Sequence, residues 1–135
     1  MVVICQQLLN TIAAMTLQNP HPGPPWVLDT RDVLITDLRE AATSLAAGAQ
    51  QPLADVNGHT VSLYAPDGSA PLHAHTGYEE SFLVLEGSMF LETETAVHLL
   101  TAGEMATVAR GVRHRTASCG GRAVCLILAG AREAA

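Results

Sequence analysis

The residues best suited to chemistry in this chain fall in two short segments. The first is His73-Ala74-His75-Thr76-Gly77-Tyr78-Glu79-Glu80, which runs on through an apolar stretch to Gly87. The second extends from Gly103 through Arg110-Gly111-Val112-Arg113 to His114. Three imidazoles and a carboxylate are ligand types that transition metals take. Burying them without an ion would leave polar groups in need of partners, at a cost of about 1 kcal/mol or more each. A metal site is therefore the first chemistry these segments suggest.

Such a site needs elements that bring the segments together. His73 and His75 are two apart in an expected strand, Leu72–His75. Side chains alternate faces along a strand, so both point the same way, about 7 Å apart. Glu80 follows a bend and opens the next strand, Ser81–Leu85, which is expected to pair antiparallel with the first. Glu80, Phe82 and Val84 then share one face and set an apolar wall beside the ion. His114 comes 34 residues after Glu80 and can join the others only if the sheet curls round, as in a small barrel.

The rest of the chain fits that requirement. From Trp26 onward, short apolar runs alternate with turn signals, the pattern of an all-β domain. Further strands are expected at Val33–Leu38, Thr60–Ala65, Met89–Glu92, Ala96–Leu100, Met105–Val108, His114–Ala117 and Ala123–Leu128. Asn57-Gly58, Pro66-Asp67-Gly68, Glu86-Gly87, Ala102-Gly103, Arg110-Gly111 and Gly120-Gly121 punctuate them. Residues 39–50 are ambiguous: their alanines suggest helix, and Thr43, Gly48 and Gln50-Gln51-Pro52 oppose it. Ile4, Leu8, Ile12 and Met15 fall on one face of a short N-terminal helix. Asn19-Pro20-His21-Pro22-Gly23-Pro24-Pro25 then reads as an extended connector. The expected organisation is an N-terminal extension over 1–25 and one barrel domain over 26–135.

The two segments resemble the paired motifs of the cupin superfamily. The first matches H-x-H-x4-E-x6-G through His73, His75, Glu80 and Gly87. The second resembles G-x5-P-x-G-x2-H-x3-N through Gly103, Gly111 and His114. Fifteen residues separate Gly87 from Gly103, the short spacing of compact microbial cupins, and the resemblance covers about residues 58–128. Ala109 stands in place of the motif proline and Ser118 in place of the asparagine. Gly68 lies one residue closer to His73 than the motif glycine should. None of these is a metal ligand in the family. The resemblance implies a small cupin (double-stranded β-helix or jelly-roll) barrel with one divalent ion, Fe, Mn, Ni, Co or Zn, on His73, His75, Glu80 and His114. Spacing to Gly87 prefers Glu80 over Glu79.

Four protein ligands on an octahedral ion leave two positions open, the mark of a catalytic rather than a structural metal. The expected pocket is lined by Phe82, Val84 and Thr116, with Tyr64 and Met105, and suits a small organic molecule. Tyr78, in the loop between the ligands, is a candidate general acid or a simple loop hydroxyl. Arg113 and Arg115 alternate away from the ion, and Arg110 lies in the turn, where it could meet an anionic substrate. His59 and His98 read as ordinary strand residues. The leading enzymatic reading implied by the resemblance is an oxidoreductase of the dioxygenase kind, acting on a small enol, thiol or phenol. A non-redox isomerase, lyase or cyclase is the alternative, and a non-catalytic small-molecule-binding cupin is the other class.

Composition narrows the partners. The formal net charge of −6 disfavours nucleic acid and anionic membrane surfaces. All seven basic residues are arginine, so no lysine can form a Schiff base or act as a general base. Cys5, Cys119 and Cys125 are too few and scattered for a disulfide framework. Free thiols and the lack of a signal-like N-terminus suggest a cytoplasmic protein. Leu83 and Leu85, opposite in parity to Glu80, give their strand a second apolar face. Cupins commonly pair through their sheets, so a homodimer is expected.

Overall fold

A computed structural model of the chain describes residues 23–130 together with Gln6. The expected N-terminal helix and most of the proline-rich connector, including His21, lie outside the described residues. The chain divides into two compact units, with the division between Ala41 and Ala42. The first unit contains a two-stranded antiparallel ribbon of β1 (Val27–Asp29) and β2 (Leu34–Thr36). Helix α1 (Leu38–Thr43) follows. Its start is marked by Asp37, whose Oδ1 accepts the Glu40 N–H at 3.1 Å, a side-chain cap for an otherwise unpaired donor.

Beyond the last residues of α1, the regular elements of the second unit are all strands. One antiparallel sheet has the order β3 (Gln50–Val56), β4 (His59–Tyr64), β10 (Val124–Ala129), β5 (Glu80–Glu86) and β8 (Met105–Val108). The other has the order β7 (Val97–Thr101), β6 (Ser88–Thr93) and β9 (His114–Ser118). Inward side chains from both sheets form one core: Tyr64, Phe82, Val84, Cys125 and Ile127 from the first, and Met89, Leu91 and Leu100 from the second. Alternation along β5 buries Glu80, Phe82 and Val84, the face expected from their parity. Gly87 turns the chain from one sheet to the other. It has φ of 70°, and a Cβ there would collide with the Arg122 carbonyl oxygen. Arg122 in turn donates to the carbonyls of Ala42, in the last turn of α1, and Leu45, just beyond it.

The expected strand Leu72–His75 does not form. Pro71 lacks an N–H, and Thr76-Gly77 begins a bend, so only one residue finds a ladder partner. That residue is His73, which exchanges backbone hydrogen bonds with His114 at 3.0 and 2.8 Å. The His75 carbonyl accepts the Gly111 N–H at 2.8 Å. The segment is thus a strap laid across the start of β9. The neighbours of β5 are β10 and β8 instead.

Two strands were not legible as hydrophobic runs. β1 is three residues long. β3 carries Gln50, Gln51 and Pro52 and is largely exposed at the sheet edge. The register of β3 shifts between Pro52 and Ala54, where a proline is tolerated because edge strands and bulges spare it a ladder bond. Among the described residues no helix is long and apolar enough to cross a membrane.

Candidate metal centre

His73 and His75 come from the strap, Glu80 from the first position of β5 and His114 from the first position of β9. All four lie in the second unit, and their candidate ligand atoms fall within 4.8 Å of one another. Glu80 Oε1 lies 3.0 Å from His114 Nε2, and Oε2 lies 3.4 Å from His75 Nε2. The rings crowd together: centroids of His73 and His75 are 4.8 Å apart, and those of His73 and His114 are 4.7 Å apart. Phe82 meets the His114 ring edge-on at 6.0 Å. His114 is almost wholly buried, at 1% exposure.

Hydrogen bonds decide which nitrogen each ring offers. His73 Nδ1 lies 2.8 Å from the Pro71 carbonyl oxygen and His114 Nδ1 lies 2.9 Å from the Val112 carbonyl oxygen. A carbonyl only accepts, so both Nδ1 atoms carry the proton and leave Nε2 for an ion. His75 Nδ1 lies 2.9 Å from Tyr78 Oη. His75 Nε2 is buried and has no hydrogen-bond partner. An orphaned imidazole nitrogen facing a carboxylate and two similar nitrogens fits a cation. The residues therefore form a group able to hold a metal, and neutral imidazoles with one carboxylate match divalent transition ions.

The electrostatics are uneven. The hydrogen bond that protonated His114 donates to the Glu80 carboxylate holds the His114 pKa above its ordinary value, against the opposing effect of burial. Burial holds that of His75 below it. Burial also pushes the Cys125 thiol up to about 12, so this wholly buried cysteine stays a protonated core residue rather than a thiolate ligand.

A cavity of about 740 Å³ opens onto the cluster, and Tyr64, Tyr78, Phe82 and Thr116 line it along with the four candidate ligands. Thr116 Oγ1 donates to Tyr64 Oη over 3.4 Å. Val84 is not on the cavity wall but in the core, at 1% exposure. Met105 is a correction: it stands outside, 61% exposed. It pairs in register with outward Leu83, and alternation gives the inward face of β8 to Ala106 and Val108. Glu79 is exposed. Arg113 and Arg115 pair with Glu94 and Glu92 at 3.0 and 2.8 Å. His59 and His98 are exposed strand residues. Gln50 and Asp55 of β3, and Ile127 of β10, also line the cavity. The signal for the first two was available in Asn57-Gly58. With φ of 55° and 82°, it makes the two-residue hairpin turn that demands a strand on each side.

Comparison with known proteins agrees with this fold. A model of the Cupin domain family matches residues 60–130. An uncharacterized Bacillus subtilis protein, YdbB, is 38% identical over 69 residues, a match spanning 49% of this chain and 59% of that protein. The chain thus matches less than two thirds of that relative's length. The fold resembles a cupin-2 domain protein of Shewanella frigidimarina, with a TM-score of 0.61 and 22% identity, covering 67% of this chain and 87% of the other. It also resembles TT1209 of Thermus thermophilus, with a TM-score of 0.62 and 24% identity, covering 73% and 98%.

Proposed function

This chain belongs to the Cupin domain family, and we propose that it is a metal-dependent member acting on a small, uncharged organic molecule. The observation that carries the reading is His75 Nε2, buried without a partner amid four candidate ligands at the wall of a cavity. His73, His75, Glu80 and His114 would hold one divalent ion. Such an ion, when bound, supplies a Lewis acid and open positions that hold substrate and dioxygen together.

The chain's own residues set the ligand class. Phe82 and Ile127 offer an apolar wall, and Tyr64 Oη with Thr116 Oγ1 offers a polar patch. Among the described residues no arginine lines the cavity, and the chain has no lysine. Asp55 and Glu80 add negative charge. A phosphate ester would find no cationic side chain there, whereas a neutral enol, thiol or phenol carries no charge that needs one and can hydrogen-bond to the polar patch. Oxidation of such a compound by dioxygen is the leading reaction. The Tyr78 hydroxyl in the cavity wall favours a second reading, a non-redox isomerase, lyase or cyclase in which a proton moves at Oη.

The test is metal analysis after reconstitution, followed by oxygen uptake with neutral enols, thiols and phenols and with their phosphate esters. Stoichiometric metal is expected in the native protein, with uptake on neutral compounds alone and none in His75→Ala. Turnover without uptake would select the second reading. Ligand binding without turnover would make the protein a binding cupin. Failure to take up metal would remove the site.

A further inference from the structure

The three imidazoles are tethered in two different ways. His73 and His114 each give Nδ1 to a backbone carbonyl, which fixes their tautomer outright. His75 Nδ1 faces Tyr78 Oη at 2.9 Å. A phenol can donate or accept, so this bond adapts to whatever the other nitrogen does. A cation on His75 Nε2 requires the proton on Nδ1, and the Tyr78 oxygen is placed to accept it.

Tyr78 is itself held in place. Its ring stacks on His75 with centroids 4.7 Å apart and planes 18° apart. Behind it stands Gly130, just past the end of β10. The Gly130 N–H donates to the Glu79 carbonyl at 3.0 Å. A Cβ on Gly130 would come within 2.8 Å of Tyr78 Cβ, closer than side chains pack. The missing side chain at 130 is what lets Tyr78 sit against the end of β10 and keep its ring on His75.

We infer that Tyr78 is a positioning residue for the metal centre. Its hydroxyl accepts the His75 Nδ1–H, keeps Nε2 bare and aimed at the cluster, and depends on Gly130 as its seat. The inference rests on the reading of His73, His75, Glu80 and His114 as metal ligands. Partners of this kind tune metal affinity because they fix ring orientation and basicity.

The experiment compares native protein, Tyr78→Phe and Gly130→Ala with Zn(II) as the probe. Zinc affinity is measured by chelator competition, and the histidine side-chain nitrogens of the zinc-loaded proteins are followed by proton–nitrogen NMR. Tyr78→Phe is expected to lose about 10- to 100-fold in zinc affinity. Its His75 Nδ1–H signal should shift and exchange faster with water, while those of His73 and His114 stay put. Gly130→Ala should perturb the same His75 signal although the hydroxyl is still present, because the added Cβ displaces Tyr78 from its seat. Native zinc affinity together with a native His75 signal in Tyr78→Phe would overturn the inference alone. Native protein that takes up no zinc would overturn the ligand reading beneath it.

Discussion

Glu80 stands between two histidines and affects them unequally. Its Oε1 is hydrogen-bonded to His114 Nε2 at 3.0 Å, and its Oε2 is farther from His75 Nε2, at 3.4 Å. The bond raises the His114 pKa above 6.5, whereas burial dominates at His75 and lowers it. In metal-free protein the His114 contribution to stability is complete below 6.5 and is lost as pH rises through the raised value. The His75 contribution has the opposite sign, since a cost appears as pH falls below 6.5 and the unfolded chain binds a proton that the folded site resists. Denaturant midpoints of metal-free protein between about pH 5 and 8 should therefore peak near 6.5 and decline on both sides. Metal affinity should run differently. An ion must displace the His114 proton, so affinity should begin to fall already above pH 6.5 on acidification, read by chelator competition. A flat stability profile together with pH-independent affinity would contradict the coupling of Glu80 to His114. At this scale the sequence was informative. Parity and spacing to Gly87 chose Glu80, and Glu79 is exposed. The tautomers were not legible, because they depend on Pro71 and Val112 carbonyls and on a hydroxyl whose positions follow from the folded loop.

At the scale of elements, strands with a half-buried period were readable and those without one were not. β5, β6, β8, β9 and β10 fall within a residue or two of their expected bounds, because each alternates or runs apolar. β3 is polar and bulged and has no hydrophobic period to show it; only the Asn57-Gly58 turn implies it. The strap has the His-x-His parity of a strand without pairing as one. Only the chain geometry after Pro71 reduces it to one bridge. The strap still brings both histidines to one site, since the backbone exchange between His73 and His114 joins the two segments directly. Gly87 shows the opposite case, where a motif residue has a backbone reason. Its left-handed φ costs a residue with a side chain about 1–2 kcal/mol, and the collision with the Arg122 carbonyl adds to that. Gly87→Ala should lower unfolding free energy by at least about 1–2 kcal/mol in urea titration, with the m-value unchanged. A variant as stable as native would mean the corner between the sheets relaxes at no cost.

On the whole molecule, the face of the five-stranded sheet opposite the cavity carries an unusual load of apolar residues. Leu126, Leu83 and Met105 stand in register across β10, β5 and β8. Leu85, Leu128 and Met105 are 37%, 40% and 61% exposed. Polar side chains would ordinarily alternate onto an outer face, so this row has the character of a surface that pairs. Strand β8 is also an unpaired edge among the described residues, which a neighbouring copy can cover. We propose a homodimer formed by a self-complementary contact of this face, the simplest closed arrangement for one repeated patch. Light scattering should then give twice the 14.2 kDa chain mass. Leu83→Glu combined with Met105→Glu should give the single-chain mass with an unchanged far-ultraviolet circular dichroism spectrum. It should also keep metal uptake, because the cluster lies on the inward side of the same sheet, with Glu80 and Leu83 on opposite faces of β5. Native protein at the mass of one chain would refute the dimer. A dimer that survives both charges would move the contact to another surface.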